Sequence, residues 1–97
     1  MALITAEQLA DELHIDQSPE ELATLGGLIK DASAIIRGSI DSQLTEQVAL
    51  ELASEQFNRL VGSVASSFYY DRALTNGLSH GQMIILKQLT GIVKGGK

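Results

Sequence analysis

The side chains in this sequence that could support chemistry are few, and none stands in a catalytic or metal-binding pattern. The only imidazoles, His14 and His80, have neither Cys nor a second His at ligand spacing. The acidic pairs Asp11-Glu12 and Glu20-Glu21 fit exposed helix faces and first helical turns better than acid–base catalysis. No G-x-S-x-G elbow or phosphate-binding glycine loop is present. We therefore expect a protein that is not an enzyme and that uses no cofactor and no metal.

Charge is divided unevenly along the chain. Residues 1–60 hold eleven acids against three bases, a net of −8, whereas residues 61–97 hold one acid against four bases, a net of +3. The total of −5 disfavours non-specific binding to nucleic acid, because phosphate contacts come mainly from Lys and Arg. A small helix-turn-helix DNA-binding regulator is the alternative function, although its recognition helix would offer only Lys30 and Arg37.

The composition predicts one small domain with an aliphatic core. With 97 residues, 44% of them hydrophobic, and only four aromatics, the core must be built from Leu, Ile, Val and Ala. Thin packing of this kind is often completed by oligomerisation. The absence of Cys fits a reducing compartment. No apolar run approaches the ~20 residues of a membrane span, and the acidic start is unlike a signal peptide, so we expect neither.

Capping residues predict where the first two helices begin. Thr5 with Gln8 forms a capping box for helix one, which should end near His14. Ser18-Pro19 predicts the start of helix two, whose apolar residues recur at three-four spacing and which should end between residues 38 and 42. Gly26-Gly27 inside helix two predicts a close crossing by another helix, since each Gly costs about 1 kcal/mol relative to Ala.

The second half of the chain changes its period after Gly62. Helix three is predicted from about residue 45 to 61, and the following residues alternate with period two, which predicts an extended strand or arm over about 63–77. Asn76-Gly77 predicts a turn, and Ser79 with Gln82 forms a second capping box before a helix from about His80 to Thr90.

The fold prediction is thus mainly α and a single domain over residues 1–97. It comprises a compact bundle of three helices (the helical body, about 5–61), an extended arm or strand (about 63–77) and a short C-terminal helix with a flexible tail (79–97).

The aromatic run Phe68-Tyr69-Tyr70 has two open interpretations. It is either a strand packed on the chain's own core, or an arm that pairs with a neighbouring subunit or partner. For the second interpretation we expect this run and the tail from Gly91 to order only on contact. The candidate interface residues for a portal protein or a neighbouring subunit are Phe68, Tyr69, Tyr70, Arg72, Lys94 and Lys97.

Patterns along nearly the whole chain are similar to one family. The strongest is the stretch from Leu28 to Arg37, and the others are Leu3-Ile4-Thr5 with 7–13, Pro19-Glu20-Glu21, Ser63 to Leu74, Gly77-Leu78, and the 82–89 helix. In these residues the chain resembles the small head–tail connector (adaptor) proteins of long-tailed bacteriophages. Thr45-Glu46 stands where many members have a Pro at the start of the third helix.

The resemblance implies a structural virion protein without catalytic residues. Such proteins form a homo-oligomeric ring, commonly of twelve subunits, under the portal protein. They receive a tail-side neck or tail terminator protein, and they retain the packaged DNA. The implied location is the head–tail neck of the virion, after assembly in the host cytoplasm. Twelve copies at −5 sum to −60, and acids that line the channel would let DNA pass without specific binding, whereas acids on the outer wall would give the same total with no such effect. A generic helical interaction subunit is a third interpretation.

Overall fold

Four helices form the part of the chain that the computed structural model describes, residues 2–71 and 77–95. They are α1 (Ala6–Leu13), α2 (Pro19–Ile40), α3 (Glu46–Tyr70) and α4 (His80–Gly95), with no strand in those residues. The prediction of a mainly α fold is therefore confirmed. No helix in the described ranges is both long and apolar enough to cross a bilayer.

The predicted helix starts are confirmed by side-chain hydrogen bonds. The Thr5 hydroxyl accepts from the N–H of Gln8, and the Gln8 side chain accepts from the N–H of Thr5. Ser18 Oγ accepts from the N–H of Glu21, with Pro19 in the first position of α2. These bonds satisfy N–H groups that have no partner inside the helix.

The predicted extended arm is wrong over residues 63–70, because these residues are helical and belong to α3, which ends at Tyr70. Leu60, Val64 and Phe68 are spaced four residues apart and are all buried, so they form one helix face. The intervening small and Ser residues produce a period-two pattern by chance. Residues 72–76 of the predicted arm lie outside the described ranges. Of the predicted turn at Asn76-Gly77, only Gly77 is described, and its φ of +69° is a value that turns commonly require.

Helix α3 is the centre of the molecule, since the other three helices all pack against it. At Ala53 the backbone leaves helical geometry (φ −156°, ψ 58°), which divides α3 into two segments joined by a kink. Helices α2 and α4 each make extensive contact with α3 and not with each other. They therefore cover different faces of α3.

The core is aliphatic, as the composition predicts. Its fully buried side chains come from all four helices and include Leu9, Leu25, Ile36, Phe57, Leu60, Leu89 and Val93. Burial at about 25 cal/mol per Å² of apolar area is what holds the helices together.

Two glycine predictions are wrong. A Cβ placed on Gly26 or Gly27 would meet no atom within 4 Å, so no described helix crosses closely there. The flexible tail predicted from Gly91 is wrong over residues 91–95, which belong to α4, and residues 96–97 lie outside the described ranges. The close approach is found instead at Gly62, where an added Cβ would lie 3.3 Å from Ile4 Cδ1.

Candidate functional site

The predicted aromatic cluster lies at the carboxyl end of α3 and has one buried and one exposed end. Phe68 is only 8% exposed, whereas Tyr70 is 70% exposed. The rings of Tyr69 and Tyr70 meet edge to face, with centroids 5.1 Å apart and planes at 86°. The cluster is thus the last turn of a helix and not part of the strand or extended arm that was predicted.

Tyr69 connects the end of α3 to the start of α2. Its hydroxyl donates a 2.8 Å hydrogen bond to Oε2 of Glu21. That bond is the main cause of a raised pKa for Tyr69, because ionising the phenol would remove the donor and place two negative charges together. Tyr69 is therefore a protonated structural clamp between two helices, and it is not suited to acid–base chemistry at neutral pH.

Lys94, the one charged member of the predicted interface among the described residues, is not brought to this cluster. Lys94 is exposed in the last turn of α4. It lies twelve residues beyond Gln82, the α4 residue that contacts Ser67, which is about 18 Å along the helix axis. Arg72 and Lys97 fall outside the described residues. The four described candidates therefore do not form one compact patch in a single subunit.

A groove between α2 and α3 has Phe68 at its edge. It has a volume of about 530 Å³ and is lined by Leu28, Asp31, Ala34, Ile35 and Phe68, which we call the α2 groove. Ile35 is 46% exposed there, an unusual position for a large aliphatic side chain. Four of the five lining residues belong to the stretch that carries the family resemblance.

Two other surfaces expose apolar side chains. On α4, Met83 and Ile84 are 40% and 44% exposed, and exposed Lys87 follows one turn later. We call these three residues the α4 ridge. On the first segment of α3, Val48 and Leu52 are 40% and 37% exposed. Contiguous exposed apolar side chains of this kind often mark protein contacts.

Sequence analysis missed the polar contact that attaches α4 to α3. Gln82, only 5% exposed, donates from Nε2 to the hydroxyls of Ser63 at 2.9 Å and Ser67 at 3.0 Å. Its Oε1 accepts from the N–H of Ser79, which completes the predicted capping box. The sequence feature that indicates this contact is the four-residue spacing of the two serines, which places them on one helix face.

A polar cleft between α1 and α3 has a volume of about 710 Å³. Asn58 lies in it and fastens the amino-terminal segment, accepting from the N–H of Ile4 at 2.8 Å and donating to the carbonyl of Ala2 at 2.9 Å. Asp11 and Glu12 also line the cleft, and its one cation, Arg59, is paired with Glu55 at 3.1 Å. Asn58 and Arg59 therefore make contacts within the protein, and no described hydrogen bond in the cleft joins a nucleophile to a base.

The two histidines occupy helix ends, as predicted. His14 ends α1 in the left-handed conformation (φ 56°), and exposed His80 begins α4. No group of three or more His, Asp or Glu in the described residues could hold a metal ion. Within the same ranges, every buried side-chain polar atom has a hydrogen-bond partner. Nothing in this part of the chain resembles a strained or unsatisfied reactive centre.

Comparison with known proteins yields no family model, no curated protein and no solved structure that matches this chain. What the protein does must therefore be inferred from its own residues. The features that bear on function are the α2 groove, the α4 ridge, the exposed Tyr70 and the acidic charge of residues 1–60.

Proposed function

We propose that this chain is a structural subunit of the head–tail connector type, which forms a ring under a phage portal, joins head to tail and retains packaged DNA. The observation that carries the proposal is the exposure of apolar side chains on α2 and on α4, which cover different faces of α3. A subunit with two adhesive faces is what a ring requires, because each copy must contact two neighbours.

The charge distribution supports passage of DNA without binding. The net charge of −5 repels phosphate, and a ring multiplies that charge around its channel. The exposed acids include Glu7, Asp11 and Glu12 on α1, whereas α1 carries no cation at all.

The alternative of a helix-turn-helix regulator is weakened by Arg37. Its Nε donates to Ser33 Oγ at 3.2 Å, and one terminal nitrogen donates to the carbonyl of Leu44 at 3.4 Å. The Ser33 hydroxyl in turn donates to Glu46 at 2.8 Å. Since Arg37 is engaged inside the protein, Lys30 is the only other cation that α2 could present to a base edge.

Electron microscopy of phage particles assembled with and without this protein tests the proposal. We expect heads that lack it to be tailless or to leak DNA, and the wild-type protein to restore tailed particles. Normal tailed particles without the protein would overturn the connector function. A gel shift with duplex DNA at low salt separates the alternative, because a regulator would retard the DNA and a connector of this charge would not.

The predicted aromatic anchor can be tested within the same assay. Tyr70→Ala removes the exposed ring and leaves the bond between Tyr69 and Glu21 in place. We expect this variant to keep wild-type helicity and to lose attachment to heads, whereas Gln88→Ala, an exposed change on α4, should attach normally. Normal attachment of the Tyr70 variant would exclude the aromatic cluster as an anchor.

A further inference from the structure

We propose that a second copy of this chain inserts its α4 ridge (Met83, Ile84, Lys87) into the α2 groove, with Lys87 beside Asp31. This inference rests on the proposed ring and identifies the surfaces that would join its subunits. The groove is concave and largely apolar, and the ridge is its counterpart in chemistry: two apolar side chains followed by a cation.

Charge complementarity selects this pair of surfaces. Among the described residues, Asp31 is the only charged one that lines the groove, and it makes no hydrogen bond or ion pair with another of them. Helix α4 carries Lys87 and Lys94 and no acid, and Lys87 likewise has no ion-pair partner in the described ranges. A carboxylate and an ammonium, neither with an ion-pair partner in the part of the chain that the structure describes, thus stand beside matching apolar surfaces.

The spacing along the two helices also matches. Ile35 lies four residues from Asp31 on α2, and Met83 lies four residues from Lys87 on α4, about 6 Å in each case. A helix packed alongside the groove can therefore place its apolar side chains against Ile35 and its ammonium against Asp31 simultaneously.

The ridge that fills the groove must come from another copy. Helices α2 and α4 of one chain cover different faces of α3 and have no extensive contact with each other. Two different surfaces that pair between copies make a heterologous contact, which closes into a ring when the rotation allows it.

A charge-swap experiment tests the pairing. Asp31→Lys places two cations opposite each other in a uniform sample, and Lys87→Glu places two carboxylates opposite each other. Each variant should weaken self-association at least about tenfold in sedimentation velocity at about 0.1 M salt. Mixing the two variants should restore assembly, because every junction in an alternating oligomer then joins opposite charges. The double variant in one chain should assemble as well.

Matched controls separate the interface from general charge and hydrophobicity. Lys30→Glu reverses an exposed charge next to Asp31 outside the groove, and Val48→Ser removes an exposed aliphatic side chain outside both surfaces. Both should assemble like the wild type, whereas Ile35→Ser in the groove should not. Circular dichroism on every variant verifies that the helices are intact.

Each result bears on a different claim. Wild-type assembly that neither charge reversal weakens, or weakening that mixing fails to rescue, would overturn this interface and leave the connector proposal to the particle experiment. A wild-type chain that stays monomeric at about millimolar concentration would overturn the interface too. Tailless heads without the protein, together with unaffected charge variants, would mean that the function is right and the interface wrong.

Discussion

At the scale of single residues, Gln82 shows how one side chain joins two helices. Its carboxamide caps the start of α4 through Ser79 and holds α3 through Ser63 and Ser67. A buried amide is stabilising only when all its groups are paired, and here oxygen and nitrogen both have partners. The position of α4 on α3 depends on this residue as well as on apolar packing.

Gln82→Ala should therefore destabilise the protein by about 2 kcal/mol, because it removes a side chain that is 5% exposed together with its hydrogen bonds to Ser63, Ser67 and Ser79. The free energy of unfolding in urea measures the change. Gln88→Ala, on an exposed position of the same helix, should shift it by less than about 0.5 kcal/mol. Equal effects of the two changes would contradict the role assigned to Gln82.

The raised pKa of Tyr69 predicts that the folded protein loses stability at alkaline pH. Its pKa is raised in the folded state, chiefly by the bond to Glu21, so folding favours the protonated phenol. The resulting stabilisation is complete below the unfolded pKa of about 10 and is lost as pH rises through the higher folded value. The difference in urea midpoint between wild type and Tyr69→Phe should shrink above pH of about 10.

The Tyr70→Phe variant allows the pKa of Tyr69 to be measured directly, because it leaves Tyr69 as the only tyrosine. Ultraviolet titration of its phenol should have a midpoint above the usual value of about 10. A midpoint at or below that value would refute the hydrogen bond to Glu21 as a clamp.

At the scale of helices, the glycines of α2 differ in role from Gly62 and Gly77. Gly27 is exposed, and an added Cβ would meet nothing within 4 Å. Gly62 is buried and leaves space for Ile4, whereas Gly77 has a positive φ that other residues adopt with strain. Gly77 therefore favours glycine through its backbone conformation, whereas a Cβ at Gly62 would require Ile4 to shift by a few tenths of an ångström.

Gly27→Ala should stabilise the monomer by about 1 kcal/mol, since Ala has the higher helix propensity and no contact opposes it. Gly77→Ala should destabilise it by about 1 kcal/mol, since its φ of +69° is unfavourable for a residue with a Cβ. Thermal unfolding at low protein concentration checks both. A destabilising Gly27 variant would indicate a close helix crossing after all.

At the scale of the whole molecule, stability should depend on protein concentration. Association through the α2 groove and the α4 ridge stabilises only the folded state, so Tm should rise by at least about 5 °C over a hundredfold concentration range. Ile84→Ser, which makes the ridge polar, should flatten that dependence while leaving the dilute Tm nearly unchanged. A wild-type Tm that is independent of concentration would argue against a subunit built to assemble.

Much of the fold could be predicted from local sequence, whereas little of the candidate site could. Thr5, Ser18 and Ser79 identify helix starts because a cap involves residues only three apart. The helix from Ser63 to Tyr70 could not be predicted in this way, because its sequence fits both the period-two alternation of a strand and the four-residue spacing of a helix face. Burial of Val64 and Phe68 against other helices decides in favour of a helix.

The amino-acid sequence by itself determined the helical class, the first helix boundaries, the aliphatic core and the uneven charge, because each follows from short-range spacing or from composition. Only the tertiary structure decided that α3 includes residues 63–70 of the predicted arm, that Gln82 joins Ser63 and Ser67, and that Ile35 faces a groove. Those features depend on contacts between residues far apart in the chain, and such contacts exist only once the helices have packed.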